Sequence, residues 1–236
     1  MKRLGTCEEN EIQFANPMSG RSLKMASVTL AKNESWGGPE ELVPLPGSFY
    51  ERNTITVARE LTGELVVRRI GDAILIGRIV ETEAYTGSTD PASHAFHGKT
   101  PRNAVMFSKG GLAYVYFVYG SSFCLNATCE REGKPGAVLI RALEPLRGIG
   151  EMCANRSLPY DSLPKVSNGP GKLTQALRIT SGLNGIDLTQ SGELMICRGE
   201  DGSQLKVASS PRIGIARARR RKWRFFVKGN PFVSRR

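Results

Sequence analysis

The sequence predicts an α+β domain: a curved, mostly antiparallel sheet with flanking helices and one protruding β-hairpin. Three observations carry that class. Runs rich in β-branched and aromatic residues recur at short spacing and are joined by turn residues rather than crossover helices. Helical patterns are few and short. The run at residues 112–119 is strongly β, meets the turn Gly120-Ser121-Ser122 at once, and continues as a partner run at 123–128.

Taken in order, residues 1–41 hold no sustained period of 3.6 or 2 and include Lys32-Asn33-Glu34-Ser35 and Gly37-Gly38-Pro39. They read as a flexible extension before a single domain over 42–236. Residues 54–61 form a short helical pattern with Asn53 as N-cap. Residues 64–69 and 73–84 are strands turned at Gly71-Asp72. Residues 85–111 are rich in Gly, Pro, Ser, Thr and Asp, which predicts a long loop with one short helix, and loops of that length are more often functional than idle. Residues 137–143 are an apolar strand expected to stop at Glu144-Pro145. Residues 173–179 look helical after Asn168-Gly-Pro-Gly-Lys172, and the apolar runs at 193–197, 213–216 and 225–227 read as strands. There are no internal repeats.

Charge points to a polyanionic partner. The 236-residue chain carries a formal charge of +11. Residues 211–236 hold ten basic side chains and no acidic one, concentrated in Arg217, Arg219, Arg220, Arg221, Lys222 and Arg224. Trp223, Phe225, Phe226, Val227 and Phe232 interleave with them, so a docked C-terminal strand presenting a phosphate-contacting face is expected rather than a loose tail. No run approaches the roughly 20 apolar residues of a membrane span, and the N-terminus lacks an apolar signal region. No membrane partner is therefore expected. Five cysteines (Cys7, Cys124, Cys129, Cys153, Cys197) without a CxxC pair argue against a disulfide framework or a four-cysteine zinc site, and for a reducing compartment.

Several residues could carry chemistry. Glu81, Glu83 and Tyr85 share one face at a strand end. Carboxylates there suit acid–base work, but isolated pairs of this kind are more often surface groups paired with Lys or Arg, and an Mg²⁺ site would need a third carboxylate, for which only Asp90 stands near. His94 and His97, the two histidines, both fall in the long loop. Zinc is disfavoured for want of a helical period or cysteine partner, whereas a histidine among aromatics suits a planar ligand. Tyr114 and Tyr116 lie on one strand face and Tyr119 on the other. Tyr114 and Phe117 read as sheet core, while Tyr119, beside the Gly120 turn, could wedge between stacked bases. Asn126 and Arg141 in apolar strands are either internally satisfied or face a pocket. Lys172 and the amides before it form a weak anion site. On these residues alone, a non-catalytic nucleic-acid-binding module leads, with a metal-dependent nuclease behind it.

Five segments shift that ranking: Arg78-Ile-Val-Glu-Thr-Glu-Ala-Tyr85, Thr100-Pro-Arg-Asn103, Tyr114-Val-Tyr-Phe-Val-Tyr-Gly120 with Asn126, Val138-Leu-Ile-Arg-Ala-Leu-Glu-Pro145, and Asn168-Gly-Pro-Gly-Lys-Leu173. In this order they resemble the motifs of the alkyladenine (3-methyladenine, methylpurine) DNA glycosylase family, over about residues 45–236. The resemblance implies a monofunctional glycosylase of base excision repair that flips out and hydrolytically excises alkylated or deaminated purines, such as 3-methyladenine and, among neutral lesions, hypoxanthine. Its partner would be double-stranded DNA containing damaged purines. It implies a monomer with neither metal nor organic cofactor, in the cytoplasm at the nucleoid if prokaryotic, the favoured case, and in the nucleus if eukaryotic. It further implies that Glu83 activates the hydrolytic water and Arg141 helps hold it. Tyr85, His94 and Tyr116 would line the base pocket, Asn126 would stand against the base edge and disfavour guanine, Tyr119 would intercalate, and Lys172 would touch the DNA backbone. Ser122 stands where some relatives carry an aromatic, and a role for His97 gets no support.

A phosphate-based footprint has a measurable signature. Affinity for undamaged duplex should fall with salt with a log–log slope of about −0.9 per phosphate neutralised. Fluorescence anisotropy across a salt series tests this, and a flat response between low and moderate salt would rule the footprint out.

Overall fold

In a computed structural model of the chain, the described residues are 42–118, 120–199 and 205–234. The extension expected over 1–41 and the intercalating role expected of Tyr119 lie outside them. The sequence places turns where the sheet needs them, so eight strands pair antiparallel throughout the described residues: β1 (Leu65–Ile70), β2 (Ala73–Tyr85), β3 (Ala113–Val118), β4 (Ser122–Thr128), β5 (Ala137–Arg147), β6 (Leu194–Cys197), β7 (Val207–Ser210) and β8 (Arg224–Val227). Their order is β3-β4-β5-β2-β1-β6, with β8 joined to both β2 and β7. The expected α+β class with a curled antiparallel sheet is what forms.

β2 organises this sheet. Along one edge its first half pairs with β1 and its second half, Glu81 to Glu83, with β8; along the other edge it pairs with β5 from Ile76 to Tyr85. One strand of 13 residues thus belongs to two diverging ladders, and the sheet must curl. The β2–β5 ladder also slips register on either side of the Glu81–Ala142 pair, leaving Val80 and Arg141 without direct partners. An extra residue of this kind bends its strand and re-aims a side chain.

The helices cover one face. α1 (Gly47–Tyr50) leads into α2 (Thr54–Glu60). The Asn53 side chain accepts from the backbone N–H of Ile55 and Thr56, which caps α2 as expected. The Thr82 hydroxyl donates to the Ala58 carbonyl at 2.7 Å and ties α2 to β2. With α3 (Ile149–Asn155) and α4 (Pro170–Ala176), α2 closes a core that includes Val57, Leu61, Ala84, Val115, Leu125, Val138, Ile140, Leu173 and Phe225.

Several boundaries differ from expectation. β5 runs through Pro145 to Arg147, because Pro145 sits at a register slip, where a missing N–H is tolerated. α4 begins at Pro170, three residues early, since proline is preorganised for the first helical position. The run 213–216 is not a strand. Gly214 there has φ +74°, a left-handed conformation incompatible with an extended run, and β7 forms earlier in the chain instead. α3 was not anticipated. Phe117 is not core: it is 50% exposed near the tip of the β3–β4 hairpin, with its ring 5.1 Å from that of Phe123.

The C-terminal segment docks as expected, but its cations divide. Phe225 and Val227 are buried, and so is Arg224, whose Nε donates to Glu81 Oε1 at 2.6 Å. Among the described residues of this segment the exposed cations are Arg217, Arg219, Arg220, Lys222 and Lys228, most of them before β8 rather than on the strand. Glu81, fully buried, also accepts from Arg141 Nε at 3.1 Å and from the Ser234 N–H and hydroxyl at 2.7 and 2.9 Å. One carboxylate therefore joins β2, β5, β8 and the C-terminal turn. Glu81→Ala would leave two buried guanidiniums short of their shared anion, and breaking a buried pair costs about 3–5 kcal/mol. Urea denaturation should show a loss of that order, and a loss below about 1 kcal/mol would mean that Glu81 holds nothing together.

Candidate active site

The pocket grows from strand parity. Register pairs Tyr114 with Asn126, Asn126 with Leu139, Leu139 with Glu83, and Glu83 with Arg224, so five residues from five strands form one row on the face opposite the helices. Tyr85 and Ala137 lie two residues further along the same face, as do Tyr116 and Cys124 on the hairpin. The loop after β2 rises over this face. Gly87 turns it at φ +69°, and a Cβ there would stand 2.2 Å from the Pro135 carbonyl oxygen, so only glycine fits the turn. The loop contributes Pro91, Ala92, His94 and Met106, and the segment from Ile213 to Arg217 contributes further lining, to a cavity of about 380 Å³.

The structure brings most of the sequence-predicted site residues together. Tyr85, His94, Tyr116, Asn126 and Arg141 all line the cavity. The His94 ring stands 4.6 Å from the Tyr116 ring, and its Nδ1 lies 2.9 Å from the Tyr114 hydroxyl. Asn103 fixes the His94 loop by donating from Nδ2 to the carbonyls of His94 and Gly98 at 2.9 and 3.0 Å. Asn126 Nδ2 donates to the Tyr114 carbonyl at 3.0 Å. Tyr114, read from sequence as core, is buried and yet contributes to the cavity wall.

Glu83 lies one layer beneath that wall. It is fully buried, and its three partners, Tyr85, Ile213 and Arg141, all line the cavity. The Tyr85 hydroxyl donates to Oε2 at 2.8 Å, the Ile213 N–H donates to Oε1 at 2.7 Å, and Arg141 Nη1 lies 3.4 Å from Oε2. Burial pushes the Glu83 carboxyl above the usual carboxylate range, although Arg141, the Ile213 N–H and the Tyr85 hydroxyl pull it down. An ionised carboxylate has roughly four acceptor sites, and these partners take three of them. Desolvation holds the Tyr85 phenol well above its ordinary value, so it stays a donor.

Other expectations separate from the pocket. Glu81 is a buried anchor, not a surface carboxylate. Asp90, the third carboxylate weighed for Mg²⁺, is committed to Arg212 through two bonds of 2.5 and 2.7 Å. Among the described residues no three metal-ligating side chains cluster, and Asp90 does not converge on the Glu81–Glu83 pair. Lys172 lies outside the cavity lining and donates from Nζ to Asn168 Oδ1 at 2.8 Å. His97 is exposed, with its ring 4.8 Å from that of Phe96 and no place in the pocket.

Sequence reasoning missed Arg212, the Ile213–Arg217 wall and Cys124. By composition alone Arg212 belongs with the basic tail. Its neighbours Pro211 and Gly214 were the available signal that this stretch is a shaped loop.

The family model described as methylpurine-DNA glycosylase matches residues 48–231. A protein of Koribacter versatilis named "Putative 3-methyladenine DNA glycosylase" is 47% identical over 197 residues, spanning 82% of this chain and 94% of the relative. Relatives of the same name from Chlorobium phaeobacteroides and Methanocella arvoryzae are each 46% identical, over 81% of this chain and 96% of their own length.

His94 offers a direct check on the pocket's electrostatics. Desolvation, and then the positive charge of Arg102, hold its imidazole below the ordinary range, so the ring carries little charge at neutral pH. An NMR titration should give a midpoint below about 6.5, and Arg102→Ala should raise it. A midpoint at or above the ordinary value would mean that neither desolvation nor the Arg102 charge acts on the ring.

Proposed function

Because the chain belongs to the methylpurine-DNA glycosylase family, and is thus a DNA glycosylase, we propose that it flips damaged purines out of duplex DNA and hydrolyses their glycosidic bonds with Glu83 as general base. The single observation that carries the assignment is a buried carboxylate held by three cavity-lining partners behind a wall of aromatic rings. The names of the relatives favour 3-methyladenine-type lesions as substrate.

The physics of extrusion fits this pocket. A purine within a duplex shields its glycosidic bond, and flipping it out costs a few kcal/mol. Stacking on aromatic faces returns roughly 1–3 kcal/mol per base, and Tyr85, His94 and Tyr116 supply such faces. Alkylation at N3 or N7 makes the purine cationic, which strengthens the stacking and lets the base depart neutral. Tyr119, next to the Gly120 turn in the sequence, fills the gap left in the duplex, and Lys172 with the exposed cations before β8 contacts phosphates. Asn126 stands at the base edge, where the 2-amino group of guanine would crowd it.

The chemical step follows from the placement of Glu83. A water admitted to its fourth acceptor position, also within reach of Arg141, attacks C1′ of the sugar. The O–C1′ bond forms, the C1′–N9 bond breaks with its electron pair leaving on the purine, and Glu83 takes one water proton. Until the bond forms, the carboxylate also opposes the positive charge that builds on the sugar. Among the described residues no lysine lines the cavity, so a Schiff-base lyase step has no candidate lysine there, which supports the monofunctional reading.

Glu83→Gln keeps shape and reach but removes the base. Single-turnover excision from methylated duplex should fall by at least about 10²–10⁴-fold, with lesion binding held within a few fold. The wild-type rate should fall as pH drops through the raised Glu83 pKa, because only the ionised form is a base, and this acid limb should lie above the ordinary carboxylate value of about 4.3. Excision by the variant within a few fold of wild type would sink the assignment. Metal-dependent strand cleavage would favour the nuclease instead, and binding without base release would favour a non-catalytic module.

A further inference from the structure

Arg212 is the most deeply committed cation that the proposed chemistry does not use. Its side chain is fully enclosed, as is that of Asp90. Nη1 and Nη2 clasp the two Asp90 oxygens at 2.5 and 2.7 Å, and Nη1 also donates to the Ala84 carbonyl at 2.7 Å. The guanidinium carbon lies 4.5 Å from the centroid of the Tyr85 ring and 5.2 Å from that of Trp223. A planar fork of this kind fixes direction as well as distance.

Its place in the chain gives the clasp a consequence. The next residue, Ile213, donates its backbone N–H to Glu83 Oε1. The segment from Ile213 to Arg217 is one wall of the pocket and holds no strand or helix of its own. Asp90 lies between Tyr85 and His94 in sequence, on the loop that supplies Pro91, Ala92 and His94 to the lining. Arg212 thus joins two irregular segments that no β-ladder joins, one residue before the donor on the proposed base.

We propose that Arg212 is a positioning residue of the excision reaction: its bidentate clasp on Asp90 aims the Ile213 N–H at Glu83 and ties together the two irregular segments that line the pocket. This rests on the assignment of Glu83 as base. The groups that face Glu83 are Glu81 and Tyr85 from its own strand, Arg141 from β5, Cys124 from β4, and Arg224, its register partner on β8. Arg212 touches none of the Glu83 oxygens itself and acts through Tyr85 and the Ile213 amide. The Ile213 N–H favours the ionised carboxylate, so misplacing it must raise the Glu83 pKa further. Loss of packing alone would not do so.

Two charge-conserving variants test this, Arg212→Lys, which removes the fork, and Asp90→Glu, which displaces it and keeps Arg212. The Glu83 carboxyl is titrated by ¹³C NMR in the free protein, with its resonance assigned by loss in Glu83→Gln, and single-turnover excision of methylated duplex is measured across pH. Both variants should raise the Glu83 midpoint by about one pH unit, the size of one charge-assisted hydrogen bond. Excision should then be roughly tenfold slower on the acid limb, as that shift requires, and much closer to wild type on the plateau. A folded variant with an unchanged Glu83 midpoint overturns the proposal, whatever its melting temperature. A raised midpoint with an unmoved acid limb shows that the clasp aims the Ile213 amide but removes Glu83 as the base, and with it the role of Arg212 in excision. If Arg212→Lys does not fold, Asp90→Glu decides the matter by the same two readouts.

Discussion

Glu81 and Glu83 carry charge into the interior two residues apart on one face of β2, and neither is tenable there without cations. Arg141 reaches both, with Nε on Glu81 and Nη1 near Glu83. Around that shared guanidinium the two carboxylates diverge. Glu81 gathers a second arginine, Arg224, and two donors from Ser234, so its acceptor capacity is spent on structure. Glu83 receives a longer contact from Arg141, one phenol and one amide, and burial raises its pKa. Identical side chains on one strand thus receive different work from their environments, which is how acid–base groups are commonly differentiated.

The bulge at Arg141 makes this sharing possible. In an unbroken ladder Arg141 would lie directly opposite a β2 residue. As the extra residue between the Ala142 and Ile140 pairs, it can reach Glu81 and Glu83 together. The same curvature separates the faces of the sheet. Helices and the main apolar core occupy one, and the other is left for the pocket, roofed by the loop after β2 and by Ile213–Arg217. Because those roofs are irregular, their positions depend on side-chain ties such as Asn103 on the His94 loop and Asp90–Arg212 between the walls.

The basic C-terminal segment serves two purposes that its composition does not separate. Arg212 and Arg224 are enclosed and neutralised by Asp90 and Glu81. Arg217, Arg219, Arg220 and Lys222 remain exposed, and Arg217 stands at the pocket itself. Net charge points to a polyanion. Burial decides which cations are left to meet it.

The sequence by itself determined the hairpin-joined β class, the Asn53 cap, the shared face of Glu81, Glu83 and Tyr85, and the gathering of His94, Tyr116, Asn126 and Arg141. These rest on local rules, namely strand parity, turn chemistry and capping, together with motifs whose order resembles one family. Boundaries were less legible. Pro145 looks like a strand end until its register slip is known, and 213–216 looks like a strand until Gly214 adopts a positive φ. Only the tertiary structure decided that Glu81 is an anchor while Glu83 faces the pocket's partners, that Arg212 belongs to Asp90, and that Ile213 supplies an amide to the proposed base. Each of these is a pairing across about 60 to 150 residues of chain. Periodicity says which face a side chain takes. It does not say which distant charge will be buried against it, because that depends on how the sheet bends.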